Sequence, residues 1–181
     1  FPSAGRRGEV FLVGDSNAGH FSEPILGGAR TNGLSTVLAT SNACPFVDLI
    51  PVRDGIVDTS CSDYVADTVR WLESAKPAHI VIAMATLGYL TSDSYTFEDP
   101  VTHTSVRGSD QKETALRSSL VDTLTRLRKA GHEVTLVHQA PQLPGYNPRS
   151  CLLFELLASR GSACSVSVPR AQVDQQMDRA W

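Results

Sequence analysis

Residues 14–16, Gly-Asp-Ser, follow directly on the apolar run Val-Phe-Leu-Val at 10–13 and precede a helix-like pattern. A serine hydroxyl becomes a useful nucleophile only when a base can take its proton and donors can receive the developing oxyanion. A turn from a buried strand into a helix meets part of that need. It lifts Ser16 to the carboxyl edge of a sheet and sets it beside the free N–H groups of a helix start. Gly14 permits the sharp turn, with Asp15 between it and the serine. Further donors are the Asn42 amide and the backbone around Gly88, with Tyr89 beside it. The chemistry these groups suit is attack by a serine nucleophile with the resulting oxyanion held by nearby donors.

Five histidines are candidates for the base. His20 stands one helical turn beyond Ser16, a position that points its ring away from the strand tip. His79 and His132 begin strands at the remote edge and read as structural. His138 reads as a strand-end residue packed on a neighbour, and His103 falls in a long loop. None has an acidic partner at a legible spacing. No C-x-x-C or Cys/His metal spacing occurs, so the sequence implies neither a metal nor a cofactor.

The elements that would position these groups alternate between strand and helix. Residues 8–13, 34–40, 79–85 and 134–137 read as short apolar strands. Helical patterns cover 16–32, with Pro24 expected to bend or interrupt it, then 63–75 and 111–130, with Gly131 as the C-cap of the last. Residues 41–60 form a polar connection, and 86–110 is the longest stretch without periodicity, a length usually functional or mobile. A Pro-rich loop at 140–148 and helical segments near 150–159 and 168–180 complete the chain. The crossovers are long enough for right-handed parallel connections. The expected fold is a three-layer α/β/α sandwich with four parallel strands. Asp15-Ser16, Ser41-Asn42, residues 86–89 and residues 139–142 would then gather at one edge.

A chain of 181 residues with net charge −3 suits a single domain and carries no nucleic-acid footprint. No apolar run approaches the roughly 20 residues that cross a bilayer. Residues 1–8 read as a linker remnant without a signal-peptide core. The four cysteines separate into local pairs, Cys44 with Cys61 and Cys151 with Cys164. Each pair suits a disulfide closing a loop of roughly 15 residues, worth about 3 kcal/mol. Four reduced, half-buried thiols are the competing reading.

Residues 10–20 resemble the first block of the SGNH (GDSL-type) hydrolase superfamily. The wider pattern is most similar to the extracytoplasmic SGNH domain fused to membrane acyltransferase-3 proteins, which O-acylate cell-surface glycans and glycolipids. Ser-Asn-Ala-Cys44-Pro45 after the second strand and Pro-x-x-Cys151 with a later Cys164 carry the same likeness over almost the whole chain. The resemblance implies a flavodoxin-like sheet, Ser16 as nucleophile, Asp15 as the residue shaping its turn, and an oxyanion donor at Asn42 and Ala43. It implies a membrane acyltransferase-3 domain as partner, a glycan or glycolipid acceptor, and a membrane-tethered, extracytoplasmic location. Residues 86–89, Thr-Leu-Gly-Tyr, depart from the superfamily's Gly-x-Asn-Asp block, which implies an atypical oxyanion hole. The superfamily's Asp-x-x-His block does not occur in these 181 residues. The expectation is a chain cut before its last strand and helix, turning over slowly or not at all by itself. Two other functions compete. One is a non-catalytic carbohydrate-binding or scaffolding domain whose Tyr89, Tyr95 and Phe97 stack on sugars. The other, a flavodoxin-like nucleotide binder, lacks a Gly-rich phosphate loop after the first strand. Intact mass measured with and without reductant checks the cysteines: two disulfides gain about four hydrogens on reduction, and free thiols gain none.

Overall fold

A computed structural model describes residues 8–141, 143 and 166–180. In chain order the elements are β1 (Glu9–Gly14), α1 (Ser16–His20), α2 (Ser22–Thr31), β2 (Ser35–Thr40), β3 (Ile50–Arg53), β4 (Ile56–Val57) and α3 (Thr59–Ser74). There follow β5 (His79–Ala83), α4 (Thr86–Thr91), β6 (Tyr95–Glu98), β7 (Ser105–Val106), α5 (Ser109–Lys129) and β8 (Glu133–Val137). These residues belong to a compact unit ending at Gln139, and a second unit begins at Ala140. The second contains the helix Arg170–Ala180, which carries an exposed Arg170–Asp174 ion pair one turn apart.

The parallel sheet runs β2-β1-β5-β8. Its order places a switch point between β1 and β5, where connections leave the sheet in opposite directions. Gly14 is level with Thr40 on one side and Ala83 on the other, and Ala83 is level with Val137. The four strand tips therefore share one edge. Period-two alternation divides β1 between two cores. Val10 and Leu12 pack with Ala18 and Ala29 beneath α1 and α2, while Phe11 and Val13 meet Val65, Val69 and Leu72 of α3 and Leu127 of α5. Phe11, Leu12 and Val13 are fully buried, each contributing about 1.5–3 kcal/mol of transfer free energy. The three-layer α/β/α sandwich with four parallel strands is thus the observed fold.

Several boundaries differ from the sequence pattern for physical reasons. The helix expected over 16–32 is two helices broken at Phe21, not at Pro24. Pro24 sits in the first turn of α2, where a missing N–H costs no helical bond. Residues 41–60 and 86–110, read as loops, build a second, antiparallel sheet of order β4-β3-β6-β7. These strands are two to four residues long, and only β3 and β6 contain buried residues, so no local periodicity announces them. Its core joins Val47, Leu49 and Phe97 to Met84, Leu90 and Leu116. On α5 the buried row is Lys112, Leu116, Ser119, Thr123 and Leu127, with Leu120 and Leu124 partly buried beside it. Lys112 is buried because its ammonium donates to Ser92 O (2.8 Å) and Tyr95 O (3.1 Å), tying α5 to the start of β6.

Cys44 and Cys61 form a disulfide, joining the loop after β2 to the first turn of α3. Asp58 caps that helix by accepting from Cys61 N (3.1 Å). The pair expected between Cys151 and Cys164 lies outside the described residues.

Gly14 has a φ of 138°, and a Cβ built there would stand 1.9 Å from Ala83 O. Gly14→Ala must therefore push β1 off β5 where the strand tips meet. The expected cost is about 3 kcal/mol or more, read as a lowered midpoint in thermal or urea denaturation. A variant as stable as wild type would show that this close approach does not constrain the turn.

Candidate active site

Asp15 begins the site. It is fully buried at the tip of β1, and its carboxylate accepts three hydrogen bonds. Asn17 N–H donates to Oδ1 (2.8 Å), Ala85 N–H to Oδ2 (2.7 Å), and the Tyr89 hydroxyl also to Oδ2 (2.5 Å). The first bond caps α1 and the other two cross the switch point to the end of β5 and to α4. A buried carboxylate without such donors would be costly, so the sequence can afford it only where three elements converge. The next residue, Ser16, is exposed at the first position of α1. The turn thus turns the acid inward and leaves the hydroxyl in solvent at the carboxyl edge of the sheet.

The loop after β2 lies beside this turn. Ser41 N–H donates to Gly14 O (3.0 Å), extending the β1–β2 pairing beyond the strands. Asn42 follows, exposed, and Ala43 is half-buried with φ 53°, a left-handed conformation unusual for a residue with a Cβ. The Cys44–Cys61 disulfide holds the next residue, and the Tyr95 hydroxyl donates to Ala43 O (2.6 Å). Tyr64 donates to Ala39 O and also lies 3.5 Å from Gly14 O, bracing the tips of β1 and β2.

The tip of β5 is differently employed. Leu87 N–H donates to Gln139 Oε1 (2.9 Å), while Gly88 and Tyr89 N–H both donate to Ala85 O (2.9 and 3.3 Å). Gly88 and Tyr89, expected among the oxyanion or substrate donors, therefore have these amides committed within the protein. The Tyr89 side chain is buried and turned onto Asp15. Tyr95 and Phe97 are buried too, so none of the three aromatics presents a face for stacking on a sugar.

Of the histidines, His20 and His138 are exposed near the correct edge. His79 faces Glu133 at the remote edge (3.2 Å). His132 is buried there between Ala78 N–H (3.2 Å to Nδ1) and Leu72 O (2.7 Å to Nε2). An amide can only donate and a carbonyl only accept, so Nε2 carries the proton, and both ring nitrogens are used structurally. Among the described residues no group of three or more His, Cys, Asp or Glu could hold a metal. A groove of about 660 Å³ between the antiparallel sheet and α5 is lined by Asp48, Asp99, Asp110 and Asp122 and includes no residue of the Ser16 edge.

A family model described as "SGNH domain (fused to AT3 domains)" matches residues 1–181. Comparison with curated proteins finds no match. Among solved structures, the periplasmic domain of a lipopolysaccharide acetyltransferase from Salmonella ser. Paratyphi A is similar, with a TM-score of 0.56 and 12% identity over 98% of this chain. The chain spans 62% of that structure's length. At this identity the likeness speaks for the fold.

Three tyrosines support the edge as neutral donors. Burial pushes the Tyr64 phenol from 10.0 up to about 12. Burial also raises Tyr89, helped by the neighbouring Asp15 carboxylate, and Tyr95. A phenol whose ionisation is raised by folding contributes stability fully present below its unfolded value, and that contribution is lost as pH climbs towards the folded value. Unfolding free energy should therefore decline between pH 10.0 and about 12. Tyr64→Phe should show a shallower decline in urea titrations across that window. An equal slope in the variant would show that Tyr64 ionises alike in both states.

Proposed function

This chain belongs to the SGNH family of domains fused to AT3 domains, and from that premise we propose that it carries acyl groups on Ser16 as an O-acyltransferase or esterase. The observation that carries the reading is the division of labour at one turn: a buried Asp15 that ties three elements together, followed by an exposed Ser16. In this reading Ser16 Oγ attacks the carbonyl carbon of an acyl donor. Its proton passes to a histidine base, the role the family resemblance gives to an Asp-x-x-His block. The tetrahedral oxyanion is received at the loop after β2, where the Asn42 amide is exposed. Collapse expels the donor's leaving group, which takes the proton and leaves an ester on Ser16. A hydroxyl of a cell-envelope glycan or glycolipid, or water, then attacks that ester by the same steps in reverse.

The family description supports a membrane acyltransferase-3 domain as the partner that supplies the acyl group. The similar Salmonella structure is a periplasmic domain, which supports an extracytoplasmic site of action for this chain. No described helix is long and apolar enough to cross a membrane, consistent with tethering by a partner domain. We assign residues 1–181 to one SGNH domain, with 1–8 as a linker remnant. A carbohydrate-binding role without catalysis is less well supported, because Tyr89, Tyr95 and Phe97 are buried.

A fluorophosphonate probe tests the nucleophile, since one covalent event per molecule registers even a slow site. Wild type should label at Ser16 and Ser16→Ala should not label there, while the slow p-nitrophenyl acetate turnover of these 181 residues should fall to the uncatalysed rate. Labelling that persists in Ser16→Ala would remove this serine from the mechanism.

A further inference from the structure

The antiparallel sheet was not legible in the sequence, and the proposed chemistry assigns it no task. Its strand β6 nevertheless reaches the Ser16 edge through one residue. Tyr95 is 7% exposed, and its ring lies against Tyr89 (centroids 4.8 Å apart) and Phe97 (5.3 Å). Its hydroxyl donates to Ala43 O (2.6 Å). Ala43 is where the loop after β2 adopts φ 53°. A residue with a Cβ pays about 1–2 kcal/mol for that conformation, so it persists only where its surroundings over-determine it. Two restraints act here on its C-terminal side, the Tyr95 hydrogen bond on its carbonyl and the disulfide at Cys44. The carbonyl and the following N–H share one peptide plane. Pinning Ala43 O therefore fixes the Ala43–Cys44 peptide, and the left-handed φ of Ala43 then sets the direction of the preceding Asn42–Ala43 peptide and its N–H.

We infer that Tyr95 is a positioning residue for acyl transfer: by holding Ala43 left-handed from the antiparallel sheet, it aims the loop of Asn42 and Ala43 at the oxyanion formed on Ser16. The aromatic contact extends the same control to the nucleophile. Tyr89, against which Tyr95 packs, donates to Asp15, and Asp15 shapes the turn that carries Ser16. Nucleophile and oxyanion loop are thus set from one side by two adjacent rings. The antiparallel sheet acts as the brace for both.

This inference rests on the acyl-transfer reading, and its test separates the two. Tyr95→Phe keeps both ring contacts and removes only the hydroxyl. Two quantities are followed in wild type and variant: the backbone chemical shifts of Ala43, which report its φ, and the rate of fluorophosphonate labelling at Ser16 against probe concentration. Wild-type shifts should place Ala43 in the left-handed region, and Tyr95→Phe should move them out of it while shifts along β1 stay unchanged. The maximal labelling rate should fall about 10-fold with little change in the half-saturating concentration, as expected when transition-state stabilisation rather than binding is lost. Ala43 shifts that are not left-handed in wild type, or that do not move in Tyr95→Phe, overturn the inference whatever Ser16 does. Shifts that move while labelling is unaffected make Tyr95 structural and overturn it as well. Absence of Ser16 labelling in wild type defeats the functional reading and takes the inference with it. The shifts, measured separately, distinguish that case from the others.

Discussion

The carboxylate of Asp15 is the constraint on which the rest depends. It sits at the switch point of the parallel sheet with no exposure to solvent, and its two oxygens accept from Asn17 of α1, from Ala85 two residues beyond β5, and from Tyr89 of α4. Each bond substitutes for water that a buried carboxylate has lost, and withdrawing any one leaves that loss uncompensated. The arrangement also dictates direction. With Asp15 turned inward and Gly14 pressed against Ala83 O, the chain must leave β1 so that the next side chain faces outward. Exposure of Ser16 is a consequence of burying its neighbour.

A second set of restraints acts on the loop after β2. The disulfide at Cys44 and the Tyr95 hydroxyl bound to Ala43 act on the C-terminal side of a left-handed residue. Tyr64 joins the backbone of β2 to that of β1 just below. Tyrosine serves at all three places for one reason: a buried phenol brings apolar area for packing and a single donor for a carbonyl or carboxylate. Burial keeps these phenols protonated, so their hydrogen bonds survive across the neutral range.

The opposite edge of the sheet shows what a purely structural polar group looks like. His132 is as buried as the site tyrosines, but both of its nitrogens are matched to backbone groups of α3 and the loop before β5. It closes the remote end and offers no free face. At the near edge Asn42, Ser16, His20 and His138 are exposed. The same fold therefore buries a backbone-paired histidine at one edge and exposes Ser16 and Asn42 at the other.

The four parallel strands, the helices of α3 and α5, and the Gly-Asp-Ser turn were legible along the chain because each is a local pattern. Apolar runs of strand length, a 3.6-residue period and a glycine at a sharp turn need no distant partner to be recognised. The Cys44 and Cys61 spacing belongs with them. Strands β3, β4, β6 and β7 were not legible, since two to four residues carry no readable period and the core beneath β6 is completed by Val47 and Leu116 from separate parts of the chain. The broken helix at Phe21 and the burial of Lys112 on α5 escaped for related reasons: a first-turn proline leaves helix formation intact, and Lys112 is buried only because Ser92 and Tyr95 supply carbonyls. By itself, then, the sequence determined the parallel fold and the strand tip on which Ser16 stands. Only the tertiary structure decided that Tyr89 belongs to Asp15 and Tyr95 to Ala43, because hydrogen bonds between residues 52 and 74 positions apart exist only once α4 and β6 are packed against the tips of β1 and β2.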